Sequence, residues 1–126
     1  MTEMTHPEEL VRRYVAVWSE PDPDARRESV AALWADGGVE FVEGAQFRGH
    51  AELSERVAHA YEAFVGSGRY AVTSGDDVTT HGDIVTFTVQ LTAAGEVDWA
   101  ARVFLVVGDD GRIREDYQLT VKPLPA

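Results

Sequence analysis

The chain has no cysteine, so it can build neither a disulfide framework nor a thiolate metal site, and its stability must come from packing. No apolar run approaches the roughly 18 residues needed to span a bilayer, and the opening MTEMTHPEEL lacks the basic-then-apolar pattern of a signal peptide. These absences lead us to expect a cytoplasmic protein with no membrane partner. Basic side chains are scarce, 11 against 22 acidic ones, and the net charge of -11 repels phosphate backbones and anionic surfaces. Nucleic acid is therefore not an expected partner. No G-x-S-x-G, P-loop or dinucleotide fingerprint occurs, and His6, His50, His59 and His81 form no metal-spaced pair. We expect no cofactor and no metal.

What is present fits one compact domain, residues 1–126, with 44% hydrophobic content. A first helix is expected from near Thr5, where Thr5 offers a capping side chain and Pro7, Glu8 and Glu9 suit a first turn. Its apolar face is Leu10, Val11, Tyr14, Val15 and Trp18, and Pro21 stops it. Asp22-Pro23 opens a second helix, to about Ala35, burying Val30, Leu33 and Trp34. Asp36-Gly37-Gly38 ends that helix, and Val39 to Glu43 reads as a short strand leading into a loop, Gly44 to Gly49. A third helix, about His50 to Val65, turns Leu53, Val57, Ala60, Tyr61 and Phe64 to one side and leaves His59 in solvent.

From Arg69 onward the pattern switches to strands: Arg69–Thr80, Ile84–Thr92, Val97–Val107 and Arg112–Lys122. Strand 84–92 alternates, with Val85, Phe87, Val89 and Leu91 opposite Thr86, Thr88 and Gln90, so one face is core and the other polar. Helices first and long strands afterwards is an α+β plan. The centre of the sheet is the hairpin VDWAARVFLVVGDDGRIREDYQLTV, Val97 to Val121.

This order of elements, with LWADG closing the second helix and DDGRI followed by DYQ in the last hairpin, resembles the SnoaL-like branch of the nuclear transport factor 2 (NTF2-like) superfamily. The resemblance covers nearly the whole chain and marks fold more strongly than function. It implies three N-terminal helices packed in a strongly curved mixed sheet, a cone with a pocket at its open end, and homodimers through the outer sheet face.

Hairpin register decides which side chains reach that pocket. If Gly108 to Gly111 form a four-residue loop, Val107 pairs with Arg112, and Asp116 and Gln118 share a face with Trp99. If Asp109-Asp110-Gly111 is a three-residue loop with a glycine bulge, Asp116 lies outward, opposite Phe104 and diagonal to Arg102. The residue pattern by itself favours the second register; the resemblance implies the first, since SnoaL-like cyclases aim a late-strand aspartate at the cavity. It also implies a carboxylate at the end of the short strand, for which Glu43 is the nearest counterpart and Glu40 the fallback, and a hydrogen-bonding tyrosine in helix one, Tyr14. The acid that isomerases carry beside that tyrosine falls near Val103, so their two-donor site is incomplete here.

Two functions from different classes follow. One is a cofactor-free cyclase, isomerase or hydrolase acting on a small, apolar, carbonyl-bearing molecule. Asp116 or Glu43 moves the proton, Tyr14 holds the oxygen, and Trp18, Trp34, Phe64, Trp99, Val103 and Gln118 line the pocket. The other is a noncatalytic small-molecule-binding or dimeric interaction domain.

Overall fold

The computed structural model describes residues 6–125. Helix α1 (Pro7–Ser19) begins with proline in its first turn and Glu8 and Glu9 against its positive end. The expected cap Thr5 lies outside the described residues; His6 occupies the cap position without a side-chain bond. Helix α2 (Pro23–Leu33) is capped as its sequence implies, the Asp22 carboxylate accepting from the Ala25 amide at 3.0 Å. Arg26 fastens the turn between these helices to the third, donating to the Glu20 carbonyl at 2.7 Å while its guanidinium lies over the Tyr61 ring.

The first difference from expectation follows α2. Asp36-Gly37-Gly38 does not end in a loop; it lies inside strand β1 (Trp34–Val42). Gly38 is required there, because a Cβ would sit 3.0 Å from the carbonyl oxygens of both Ala35 and Ile113. The expected loop after β1 is a hairpin, Gly44 taking a positive φ and Ala45–Arg48 forming β2. Helix α3 (Gly49–Ala60) follows and widens into a π-helical turn, Tyr61–Val65. His59 is exposed, as its position off the apolar stripe requires.

The expected strand 69–80 is broken into β3 (Ala71–Ser74) and β4 (Thr79–His81), and both pair with β5 (Ile84–Ala93). Strands β6 (Glu96–Val107) and β7 (Ile113–Lys122) complete a seven-stranded mixed sheet in the order β2-β1-β7-β6-β5-β3, with β1 parallel to β7. The helices cover one face, on which Val85, Phe87, Val103 and Leu105 meet Tyr14, Leu33 and Val57 in the core.

The α+β plan holds, but the cone does not. The sheet is open, neither closed nor strongly curved: its path ends at β2 on one side and at β3 on the other, with no ladder between them. Closure needs strands long enough to carry the register around. Here the edge strands β2, β3 and β4 have four, four and three residues.

The central hairpin combines both expected registers. Gly108 N–H donates to the Arg112 carbonyl and Gly111 has φ +80°, so the turn is the three-residue loop with a bulge glycine. Val107 accordingly pairs with Ile113, a phase that would send Asp116 outward. One residue later the phase changes: Val106 pairs with Glu115, leaving Arg114 as an extra residue in β7. Beyond that bulge Leu105 faces Asp116 and Val103 faces Gln118, and both polar side chains enter the helix-covered face. The outward Arg102–Asp116 pair does not form; Arg102 meets Asp77 instead, at 2.7 Å.

Candidate functional site

Parallel pairing of β1 with β7 sets Glu40 directly beside Asp116, and both carboxylates are completely buried. Tyr14, projecting from α1 and equally buried, donates its hydroxyl hydrogen to Asp116 Oδ2 at 2.9 Å and accepts from Gln118 Nε2 at 2.7 Å. Its ring is held by Trp18, Trp34 and Phe87, the last edge-on at 5.5 Å between centroids. From α3, Arg56 Nε donates to Glu40 Oε1 at 2.9 Å. The guanidinium is flanked by the rings of Trp18 and Phe47, at 5.2 and 5.4 Å.

The electrostatics of this cluster are asymmetric. Burial pushes Asp116 well above the ordinary carboxylate range, the neighbouring charge of Glu40 adds to the rise, and the Tyr14 hydrogen bond only partly opposes it. Burial also raises Glu40, but Arg56 counters through its charge and its hydrogen bond. Both carboxyls are thus pushed up, Asp116 the more strongly, while Arg56 favours the charged form of Glu40. One oxygen of each, Glu40 Oε2 and Asp116 Oδ1, meets no hydrogen-bonding partner among the described residues. Burial first, then the nearby carboxylates, raises Tyr14 as well, so its hydroxyl stays protonated.

Beside the cluster lies a cavity of about 160 Å³, bounded by α1, α3, the π-helical turn and the inner sheet face. Its wall is largely apolar, with Trp18, Phe64, Val89, Leu91 and Trp99 prominent, and among the described residues Arg56 and Gln118 are its charged and amide side chains. The π-helical turn brings Phe64 and Val65 to this wall, and Leu124, beyond the last strand, also touches it.

Of the residues expected at the pocket, Trp18, Phe64, Trp99 and Gln118 line this cavity. Tyr14 and Asp116 sit directly behind Gln118 and are bonded to each other. Trp34 and Val103 are fully buried core residues and do not border the cavity. Glu43 is not brought to the cluster: it is exposed just after β1, accepting from the Thr120 amide at 3.2 Å. Glu40, the fallback, is the carboxylate of β1 that lies beside Asp116. The expected conical pocket is replaced by a cleft against an open sheet.

Solved structures with the same fold include a SnoaL-like protein from Agrobacterium tumefaciens provisionally named an isomerase, 22% identical, with a TM-score of 0.83 over 93% of this chain and 98% of that one. The chain has the SnoaL-like, NTF2-like fold. A SnoaL-like protein of unknown function from Burkholderia thailandensis is 14% identical, with a TM-score of 0.74 over 96% and 99% of the two chains. A de novo designed NTF2 fold protein, 20% identical, has a TM-score of 0.73 over 97% and 90%. No family model and no curated protein matches the chain. A fold shared with a designed protein assigns no reaction, so function in this NTF2-like chain has to be argued from its site.

The sequence reading missed Arg56. Its signal was its position: Arg56 stands three residues after Leu53 and four before Ala60, so it shares the buried stripe of α3. A charged residue on a buried helical face needs a partner, and Glu40 supplies it.

Proposed function

We propose that this chain is a cofactor-free enzyme that transfers protons on a small, largely apolar, carbonyl-bearing molecule held in the cavity. The observation that carries this reading is the Glu40–Asp116 pair, two adjacent buried carboxyls of which Glu40 is answered by Arg56 and Asp116 by no cation, behind the polar end of an apolar cavity. Paired carboxyls whose environments raise their pKa values unequally are suited to acid and base steps. A carbonyl oxygen at the polar end would accept from Gln118 Nε2 and the Arg56 guanidinium, which stabilise the charge that develops on enolisation. The Gln118 amide carries two hydrogens and Tyr14 engages one of them, so the second can meet the carbonyl oxygen. In the proposed step the Glu40 carboxylate takes the α-proton and the Asp116 carboxyl gives its own proton to the carbonyl oxygen, and the reverse transfers restore both groups. Tyr14, whose single hydrogen is committed to Asp116, acts as a positioning residue and not as the oxygen's donor.

The test is hydrogen–deuterium exchange at the α-carbon of a panel of small cyclic and aryl ketones, followed by NMR. The chain should accelerate exchange, and Asp116→Asn should remove the acceleration while tryptophan fluorescence reports unchanged ketone affinity. Equal exchange in the variant disposes of Asp116 as the catalyst.

A second reading, a noncatalytic binding domain, is favoured by one observation: Arg56 and Gln118 face the cavity, whereas Glu40, Asp116 and Tyr14 are fully enclosed. Ketones that bind without any exchange would select it.

A further inference from the structure

The cavity carries one charge, and its sign is opposite to that of the protein. The chain bears a net charge of -11, yet among the described residues Arg56 is the sole ionisable side chain on the cavity wall. It is also a prepared donor. The ion pair with Glu40 engages Nε, and neither terminal nitrogen donates to another of the described residues. The Trp18 and Phe47 rings, at 5.2 and 5.4 Å, hold the guanidinium by cation–π contact. A planar fork held in an apolar wall matches a carboxylate, which it can meet through two parallel N–H···O bonds.

We infer that the ligand of this cavity is a small carboxylic acid, its carboxylate bound by the terminal nitrogens of Arg56 and its hydrocarbon enclosed by Trp18, Phe64 and Trp99. Size narrows the class. An apolar cavity of about 150 Å³ in another protein accommodates benzene, so the 160 Å³ here fits a single ring or an aliphatic group of that bulk. Gln118, the second polar group on the wall, is left for a further oxygen, which a keto acid would supply. The buried Glu40 does not forbid an anion, because it occupies only the Nε edge of Arg56. At the range of the surface charge, about a Debye length of 8–10 Å, repulsion by the acidic exterior is screened. The inference rests on the cavity being the ligand site proposed above, and not on any reaction occurring there.

The experiment compares phenylacetate with phenylacetamide, which has the same shape and no charge, by fluorescence of Trp18 and Trp99 and by NMR shifts of cavity residues. The acid should bind at least about tenfold more tightly, the usual scale of a charge-assisted bidentate contact. That preference should vanish in the double variant Arg56→Gln, Glu40→Gln, which removes the ion pair without leaving an unpaired charge. In the unmodified chain the guanidinium nitrogen signals of Arg56 should move with the acid and stay still with the amide, a readout independent of how well the variant folds. Equal or tighter binding of the amide overturns the carboxylate assignment and leaves the ligand site standing. A preference that survives in the double variant, or an Arg56 signal that ignores the acid, places the anion elsewhere and also overturns it. Binding of neither compound overturns both readings.

Discussion

Two aspartates on opposite faces of one sheet have opposite chemistry. On the outer face Asp77 accepts from the Thr88 amide at 3.0 Å, the Thr88 hydroxyl at 2.6 Å and Arg102 at 2.7 Å. Partial burial works against its charge, but the two Thr88 hydrogen bonds and Arg102 outweigh it and hold Asp77 below the usual carboxylate value. On the inner face Asp116 has one donor, Tyr14, one oxygen with no partner among the described residues, and Glu40 beside it, and its pKa moves up. Burial alone does not separate them, since Glu40 is as buried as Asp116 and remains closer to ionised because Arg56 answers it. What separates a structural carboxylate from a reactive one is whether donors satisfy its charged form.

The largest expected difference between the two is in proton transfer. Asp116→Asn should slow ketone α-exchange by on the order of 10²-fold or more, the usual contribution of a positioned acid or base. Asp77→Asn should leave exchange within about twofold. Equal losses in the two variants, measured side by side on the same ketone, would mean that the contrast in their environments has no functional content.

Next in size is the ion pair that sets Glu40 apart from Asp116. Arg56→Gln leaves a buried carboxylate unanswered. Such losses run to about 3–5 kcal/mol for a fully enclosed pair, and this one belongs at or below the lower end because Arg56 is 24% exposed. Adding Glu40→Gln should recover much of the loss in urea melts. A double variant as unstable as the single one would show that Arg56 stabilises through its packing on Trp18 and Phe47 and not through its charge.

Most of this frame was legible in the sequence, and the exceptions have physical causes. Asp22-Pro23 and the alternation of β5 each report a local preference and form as read, while the α3 stripe holds at Leu53 and Val57 and gives way to a π-helical turn from Tyr61. Strand β1 was misjudged because Asp36-Gly37-Gly38 resembles a terminator, while Gly38 is needed for close approach to β7. Glu43 was chosen by phasing with Val39 and Phe41 as though apolar meant inward. Phe41 instead stacks on Tyr117 at 4.9 Å, and Glu40, one residue out of phase, takes the inner face. The register of the last hairpin depends on Arg114 bulging out of β7, and nothing in IREDYQ distinguishes Arg114 from its neighbours. Long-range pairing chose the bulge, and with it the location of Asp116.

The smallest expected effects test the contrast through stability against pH. Asp77 is lowered on folding, so it contributes above its unfolded value near ~4 and loses that contribution as pH falls through its folded value. Asp77→Asn should cost about 1 kcal/mol at pH 7, modest because the side chain is 42% exposed, and nothing once the carboxylate is protonated in both states. Asp116 is raised, so its folded state holds a proton that the unfolded chain releases near ~4. Its contribution is therefore complete below that value and lost as pH climbs towards the folded value, and stability should decline over that interval. Asp116→Asn, which resembles the protonated acid, should flatten the decline and make the chain more stable at neutral pH than the parent. Thermal melts from pH 3 to 9 should thus show the two variants flattening opposite limbs of one curve. If Asp116→Asn instead flattens the acid limb, Asp116 is ionised in the folded chain, and both the contrast with Asp77 and the proton-transfer reading fall with it.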